Sequence, residues 1–109
     1  MSKPKISEEV LGDTGFAYAL SLVNGKYKLS ILYCLSRFEI VRYNELKRYL
    51  GNITFKTLTD SLKSLENDGL VFRKEYPQIP PKVEYSLTEK GKSFIPILWS
   101  LCAWGDEHK

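Results

Sequence analysis

The sequence predicts a mainly α-helical domain with a small β-hairpin, an α+β fold. Three observations carry that expectation. Apolar residues recur at helical spacing over most of the chain. The period switches to two only near residues 70–87, where Val, Phe and Tyr are enriched. The length of 109 residues leaves room for one domain, spanning 1–109, with one core. At 43% hydrophobic and 27% charged, the composition is that of a globular domain, not a disordered tail.

The elements follow in order. Asp13 or Thr14 caps a first helix, over about residues 13–23, with Phe16, Ala19, Leu20 and Val23 at helical spacing. Asn24-Gly25 stops it, since glycine tolerates the left-handed conformation at a helix end. A second helix covers about residues 27–36. Residues 37–41 form a short break with room for one β-bridge. A third, short helix runs over about residues 43–50 on Tyr43, Leu46 and Leu50, and Gly51-Asn52 ends it.

The fourth helix has the clearest signature. Thr54 is its N-cap. Phe55, Leu58, Leu62 and Leu65 form its apolar stripe, and Gly69 terminates it. Only residues 51–54 separate it from the third helix, so residues 43–68 read as a helix–turn–helix. Two strands follow, at residues 70–76 and 83–87. Val83, Tyr85 and Leu87 alternate with Glu84 and Ser86, as in a half-buried strand. Between the strands lies Pro77-Gln78-Ile79-Pro80-Pro81, too rich in proline for a helix. Thr88 caps a last helix over about residues 88–105, with Pro96 expected to kink it. Helix–turn–helix and then hairpin, with the wing at about residues 70–88, is the order of a winged helix–turn–helix. Here it carries extra helices at both ends.

Charge is more informative by segment than in total. The formal net charge is +3, compatible with nucleic-acid binding without demanding it. Residues 26–63 hold eight basic residues (Lys26, Lys28, Arg37, Arg42, Lys47, Arg48, Lys56, Lys63) against three acidic ones (Glu39, Glu45, Asp60), a net +5. That excess spans the helix–turn–helix.

On the fourth helix, the apolar stripe falls within about 40 degrees of a common centre at 100 degrees per residue. The opposite face holds Lys56, Asp60, Lys63 and Asn67, flanked by Thr57 and Thr59. It reads as a solvent face or as a surface for a DNA major groove, where lysines and hydroxyls meet base edges and phosphates. Free N–H groups at the helix start, near Thr54, suit a phosphate. Asp60 is out of place there, unless it accepts from a cytosine amino group or sharpens register by repelling phosphate. Arg73, Lys74, Gln78 and Lys82 are expected on or near the hairpin tip, placed for backbone or minor-groove contact. With Arg42, the candidate DNA-contacting residues are Arg42, Thr54, Lys56, Thr57, Thr59, Lys63, Arg73, Lys74, Gln78 and Lys82.

The terminal helices are apolar on more than one side. In the last, Phe94, Ile97, Leu98 and Leu101 form one stripe, and Ile95, Trp99, Cys102 and Ala103 continue to the far side. A helix apolar nearly all round must be buried all round. The expectation is a homodimer through Phe16, Tyr18, Leu22, Ile95, Trp99, Cys102 and Ala103, its two-fold axis setting two recognition helices about 34 Å apart. The alternative is a monomer whose terminal helices pack on each other.

Several classes are excluded. The longest unbroken apolar runs, residues 16–20 and 31–35, are far below the ~18 residues that span a bilayer. Residues 1–5 precede no apolar stretch suited to a secretory signal, so a cytoplasmic location is expected. Cys34 and Cys102 have no CxxC partner, and His108 is the only histidine, so no metal site and no cofactor are expected. No GxGxxG, P-loop, HExxH or nucleophile elbow is present, which argues against an enzyme and leaves no catalytic residues to nominate.

The chain resembles the HxlR-type bacterial transcriptional regulators, winged-helix relatives of the MarR group. The resemblance covers about residues 14–108. It rests on Leu22-Val23-Asn24-Gly25-Lys26-Tyr27, Arg42-Tyr43-Asn44-Glu45-Leu46, Ile53-Thr54-Phe55-Lys56-Thr57-Leu58-Thr59 and Leu65-Glu66-Asn67-Asp68-Gly69-Leu70-Val71. Most specific is the run Tyr76-Pro77-Gln78-Ile79-Pro80-Pro81-Lys82-Val83-Glu84-Tyr85-Ser86-Leu87-Thr88. The resemblance implies a dimeric, cytoplasmic regulator that binds double-stranded DNA at a short palindromic operator. It places Lys56, Thr57 and Thr59 in the recognition helix and Lys82 in the wing. Several members sense oxidants through a cysteine just before a proline at the start of the first helix. Here those positions are Thr14 and Gly15, so that thiol is absent, and Cys34 and Cys102 read as small core hydrophobes. A winged-helix protein-interaction module without DNA binding is the alternative function, favoured by the modest charge and by Asp60. A small-molecule effector is left open, in a cleft lined by Tyr18, Tyr27 and Trp99.

Overall fold

The computed structural model describes residues 12–109, and among these described residues nine elements follow one another. Residues 1–5, where no secretory signal is expected, lie outside the described residues. The elements are α1 (Gly15–Val23), α2 (Lys28–Phe38), β1 (Val41–Arg42), α3 (Tyr43–Leu50), α4 (Phe55–Asn67), β2 (Val71–Tyr76), β3 (Lys82–Leu87), α5 (Glu89–Ser93) and α6 (Ile95–His108). This is a winged helix–turn–helix of α+β class.

Capping chemistry sets the helix starts. The Thr14, Thr54 and Thr88 hydroxyls accept from the backbone N–H groups of Ala17, Thr57 and Gly91, at 3.0, 3.1 and 3.0 Å. Gly51 closes α3 at φ 72°, with its N–H on the Lys47 carbonyl at 3.2 Å. A side chain is strained in that conformation, so glycine makes the tight turn possible. Ile53 is buried within the turn and pins it to the core.

The core lies where α2, α3 and α4 meet the sheet. Ile31, Leu32 and Leu35 of α2, Leu46 of α3, and Leu58, Leu62 and Leu65 of α4 are buried together with Leu70, Val71, Tyr85, Ile95 and Leu98. Each such side chain contributes about 1.5–3 kcal/mol through removal from water. No charged or polar residue is buried among the described residues. The helix–turn–helix is therefore held rigidly at its back and leaves its charges outside.

Four expectations need correction. First, α2 continues two residues past Ser36, and Glu39 at φ 62° breaks it. Second, the expected bridge is a short strand. Val41 and Arg42 pair with Tyr85 and Glu84, giving an antiparallel three-stranded sheet of order β1-β3-β2 with β3 in the centre. Third, the last helix is two helices that meet at Phe94. Pro96 sits in the first turn of α6, where its missing N–H costs nothing, so it starts a helix and does not kink one. Gly91 of α5 lies against the sheet end, and a Cβ there would overlap the Leu70 carbonyl oxygen.

The fourth correction concerns which faces are inner. In α6 the buried residues are Ile95 and Leu98, while Ile97, Trp99, Leu101 and Trp104 are exposed. In α1 the buried residue is Leu22, while Phe16, Tyr18 and Leu20 are exposed. Leu22 and Ile95, nominated for a partner surface, are buried in the chain's own core. Periodicity cannot choose a side on a helix apolar nearly all round.

Candidate nucleic-acid interface

α4 presents the face opposite its buried leucines. Lys56, Asp60, Lys63 and Asn67 are all exposed there. Lys56 Nζ donates to Asp60 Oδ2 at 2.8 Å across one helical turn. That hydrogen bond and charge hold the Asp60 carboxyl below its ordinary pKa and push the Lys56 amine above its own. Asp60 is thus a local partner for Lys56. Approach of a phosphate or a base would have to break a pair that solvent already weakens.

The threonines divide. Thr54 and Thr57 stand exposed at the helix start, joined through their hydroxyls at 2.9 Å. Thr59 is turned toward the protein, its hydroxyl 3.0 Å from the Tyr43 hydroxyl. It therefore links α4 to α3. The Tyr43 hydroxyl also donates to the Phe55 carbonyl at 3.1 Å.

Phe55 departs from its expected place in the apolar stripe. Its side chain is 63% exposed, with its ring parallel to Tyr43 within 6° and the Lys47 amine 4.7 Å from its centre. Sequence reasoning missed this α3–α4 contact. A stripe gives an angle about the axis. Phe55, at the edge of the arc and the end of the helix, has no core beneath it.

Two grooves flank α3 and α4. One, of about 470 Å³, lies between α4 and the sheet and is lined by Tyr43, Thr59, Lys63, Glu66, Arg73 and Val83 among others. The other, of about 530 Å³, lies between the start of α3 and the wing, with Arg42, Asn44, Lys82 and Val83 on its walls. Four of the nominated bases, Arg42, Lys63, Arg73 and Lys82, therefore gather around Tyr43 and Val83.

The wing is less uniformly basic than its sequence suggests. Only Gln78 is at the tip. Lys82 opens β3 opposite Tyr76, and Arg73 and Lys74 lie within the body of β2 on opposite faces. Lys74 and Lys82 both lie over the Tyr76 ring, at 4.9 and 4.7 Å. Lys82 also pairs with Glu84 at 3.4 Å. The Tyr76 hydroxyl donates to Glu84 at 2.9 Å, which with Lys82 and Arg42 holds the Glu84 carboxyl below its usual range. Arg73 faces α4 beside Tyr85, which with Glu75 pushes the guanidinium pKa further up. Tyr76 and Glu84 were not nominated from sequence, and their role shows only in the register.

The remaining nominated residues lie away from this face. Phe16, Tyr18, Trp99, Cys102 and Ala103 are exposed on α1 and α6. The Tyr18 hydroxyl accepts from Lys90 at 2.8 Å, and the same amine donates to the Asp68 carbonyl at 3.0 Å, tying α1, α4 and α5 together. Cys34 is buried, which pushes its thiol up, but Cys102 is exposed and is not a core hydrophobe. Tyr27 lines a depression of about 470 Å³ with Tyr33, Tyr49, Leu98 and Cys102, whereas Tyr18 and Trp99 lie outside it. Within one protomer, Tyr27 does not share this depression with the other two residues of the expected cleft.

Among the described residues, no cluster of His, Cys, Asp and Glu suits a metal ion, and no helix is long and apolar enough to cross a membrane.

Comparison with known proteins matches residues 22–109 to the model of the HxlR-like helix-turn-helix family. The chain is 54% identical over 105 residues to the HTH-type transcriptional regulator BH0655 of Halalkalibacterium halodurans, covering 96% of this chain and 93% of that one. It is similar in structure to a MarR-family transcriptional regulator of Porphyromonas gingivalis, with a TM-score of 0.84, 37% identity, and coverage of 97% and 100%. The oxidised form of the redox regulator HypR is also similar, with a TM-score of 0.82, 38% identity, and coverage of 88% and 98%.

Proposed function

The chain belongs to the HxlR-like helix-turn-helix family of transcriptional regulators, and we propose that it binds a palindromic operator in double-stranded DNA as a homodimer in the cytoplasm. The observation that carries this reading is the outer face of α4. It combines exposed lysines and hydroxyls at the free end of a rigidly backed helix, with Arg42 and Lys82 flanking one side and Arg73 the other. That arrangement suits a major groove with phosphates on both sides.

The dimer is supported by the outer faces of α1 and α6. Phe16, Leu20, Ile97, Trp99, Leu101 and Trp104 stand uncovered on helices whose other sides are already packed. Apolar surface of that extent, rich in tryptophan, favours burial against a copy of itself, and an isologous contact presents two α4 helices to two half-sites.

The second reading is a winged-helix protein-interaction module without DNA binding. It is favoured by the internal pairing of Lys56 with Asp60, Lys82 with Glu84 and Arg73 with Glu75. One experiment separates the two. Fluorescence anisotropy is measured with duplex DNA from upstream of the chain's own gene, against random duplex, at two salt concentrations. The DNA-reading function predicts preference for the upstream duplex and a steep loss of affinity with salt. Equal binding to both duplexes contradicts it and favours the interaction module.

A further inference from the structure

Phe55 stands out among the apolar residues of α4. Leu58, Leu62 and Leu65 are at most 2% exposed, whereas Phe55 is 63% exposed. It is the first residue of the helix, at the end that meets base edges when a recognition helix enters the major groove. We infer that Phe55 is a specificity-determining residue that selects thymine through its 5-methyl group. This rests on the DNA-reading function proposed above.

The ring is preorganised. Tyr43 lies parallel to it, with ring centres 6.2 Å apart, and the Tyr43 hydroxyl holds the Phe55 carbonyl on one side and Thr59 on the other. Lys47 stands over the ring and keeps a cation against it. The ordering cost of placing an exposed aromatic at the groove is therefore already met in the free protein.

The chemistry narrows the target. A phenyl ring neither donates nor accepts a conventional hydrogen bond. In the major groove guanine and adenine present polar atoms, cytosine presents its amino group beside a bare C5–H, and thymine alone adds a methyl group. An apolar ring set against a polar edge leaves that edge unpaired, so it discriminates against the other three bases as well as favouring thymine.

The test replaces thymine with deoxyuridine, which removes only the methyl. A binding site is first selected from a random duplex library with the full wild-type chain. Each thymine of the selected site is then replaced singly, and affinity is measured for wild type, Phe55→Ala and Phe55→Leu. One thymine in each half-site is expected to lose about three- to fivefold in affinity for wild type on replacement. Phe55→Ala should show no loss at that position, and Phe55→Leu a partial one. Circular dichroism of each variant checks that the fold is intact, as expected for an exposed ring. Enrichment of a site at which no thymine is sensitive, or at which Phe55→Ala is as sensitive as wild type, overturns the inference and leaves DNA reading intact. Failure to enrich any sequence overturns both.

Discussion

α4 and α6 are built alike on the inside and differently on the outside. Each buries leucine against the same core, Leu58, Leu62 and Leu65 on one and Leu98 with Ile95 on the other. Outward, α4 shows Lys56, Thr57, Asp60 and Lys63, while α6 shows Ile97, Trp99, Leu101 and Trp104. The inner faces explain why the chain folds. The outer faces tell which kind of partner each helix suits, a polyanion for α4 and an apolar surface for α6. A charge total of +3 conceals this division, because it averages a charged face with an apolar one.

Breaking an inner face gives the largest effect. Leu58→Ala is expected to cost about 2–5 kcal/mol in urea unfolding, since Leu58 is fully buried and its cavity cannot collapse onto solvent. Next comes the outer face of α6. Trp99→Glu, at a site 60% exposed, should leave the protomer fold intact by circular dichroism. It should weaken self-association by about 2–4 kcal/mol in sedimentation, the range of an interface hot spot. If the variant unfolds, Trp99 belongs to the protomer core and the two faces of α6 have been confused.

The outer face of α4 gives a smaller and more selective effect. Lys56→Ala is expected to weaken operator binding by about 1–3 kcal/mol and to change sequence preference, whereas Lys82→Ala should weaken all duplexes alike and lower the salt slope by roughly one. Identical behaviour of the two variants would erase the distinction between helix and wing. The smallest effect concerns Asp60. Its carboxyl is held below its ordinary pKa by Lys56, so the pair's contribution to the fold is fully present above the usual aspartate range and is lost as pH falls through the lowered value. The melting temperature of Asp60→Asn should lie slightly below wild type at pH 7, and the gap should close as pH falls below the usual aspartate range. The pair is fully solvated, so the difference is small.

The helix–turn–helix was legible because each of its signals is local. Thr54, the leucine spacing of α4, and the glycines at 51 and 69 act within a few residues of themselves. What escaped depends on distant parts of the chain. β1 has only two residues, too few for a pattern, and exists because β3 offers it an edge. The turn at Glu39 carries no glycine to announce it. The inner side of α6 follows from where α2 and the sheet lie, not from its own sequence. The break before α6 was readable, because proline favours the first turn of a helix over its middle. Of the candidate interface, the sequence supplied its lysines but not their partners. The Lys56–Asp60 spacing of four residues announces a helical pair, while Glu84 beside Lys82 and Tyr43 beneath Phe55 require the register of the sheet and the angle of the turn.

The division of labour between α4 and α6 is tested most directly by the number of protomers on one operator duplex. Sedimentation equilibrium of the chain with a duplex selected by wild type should give a complex heavier than the duplex by two copies of 12.6 kDa, and Trp99→Glu should reduce both that stoichiometry and the affinity. A complex carrying a single protomer at saturation, bound as tightly by Trp99→Glu as by wild type, would contradict the account.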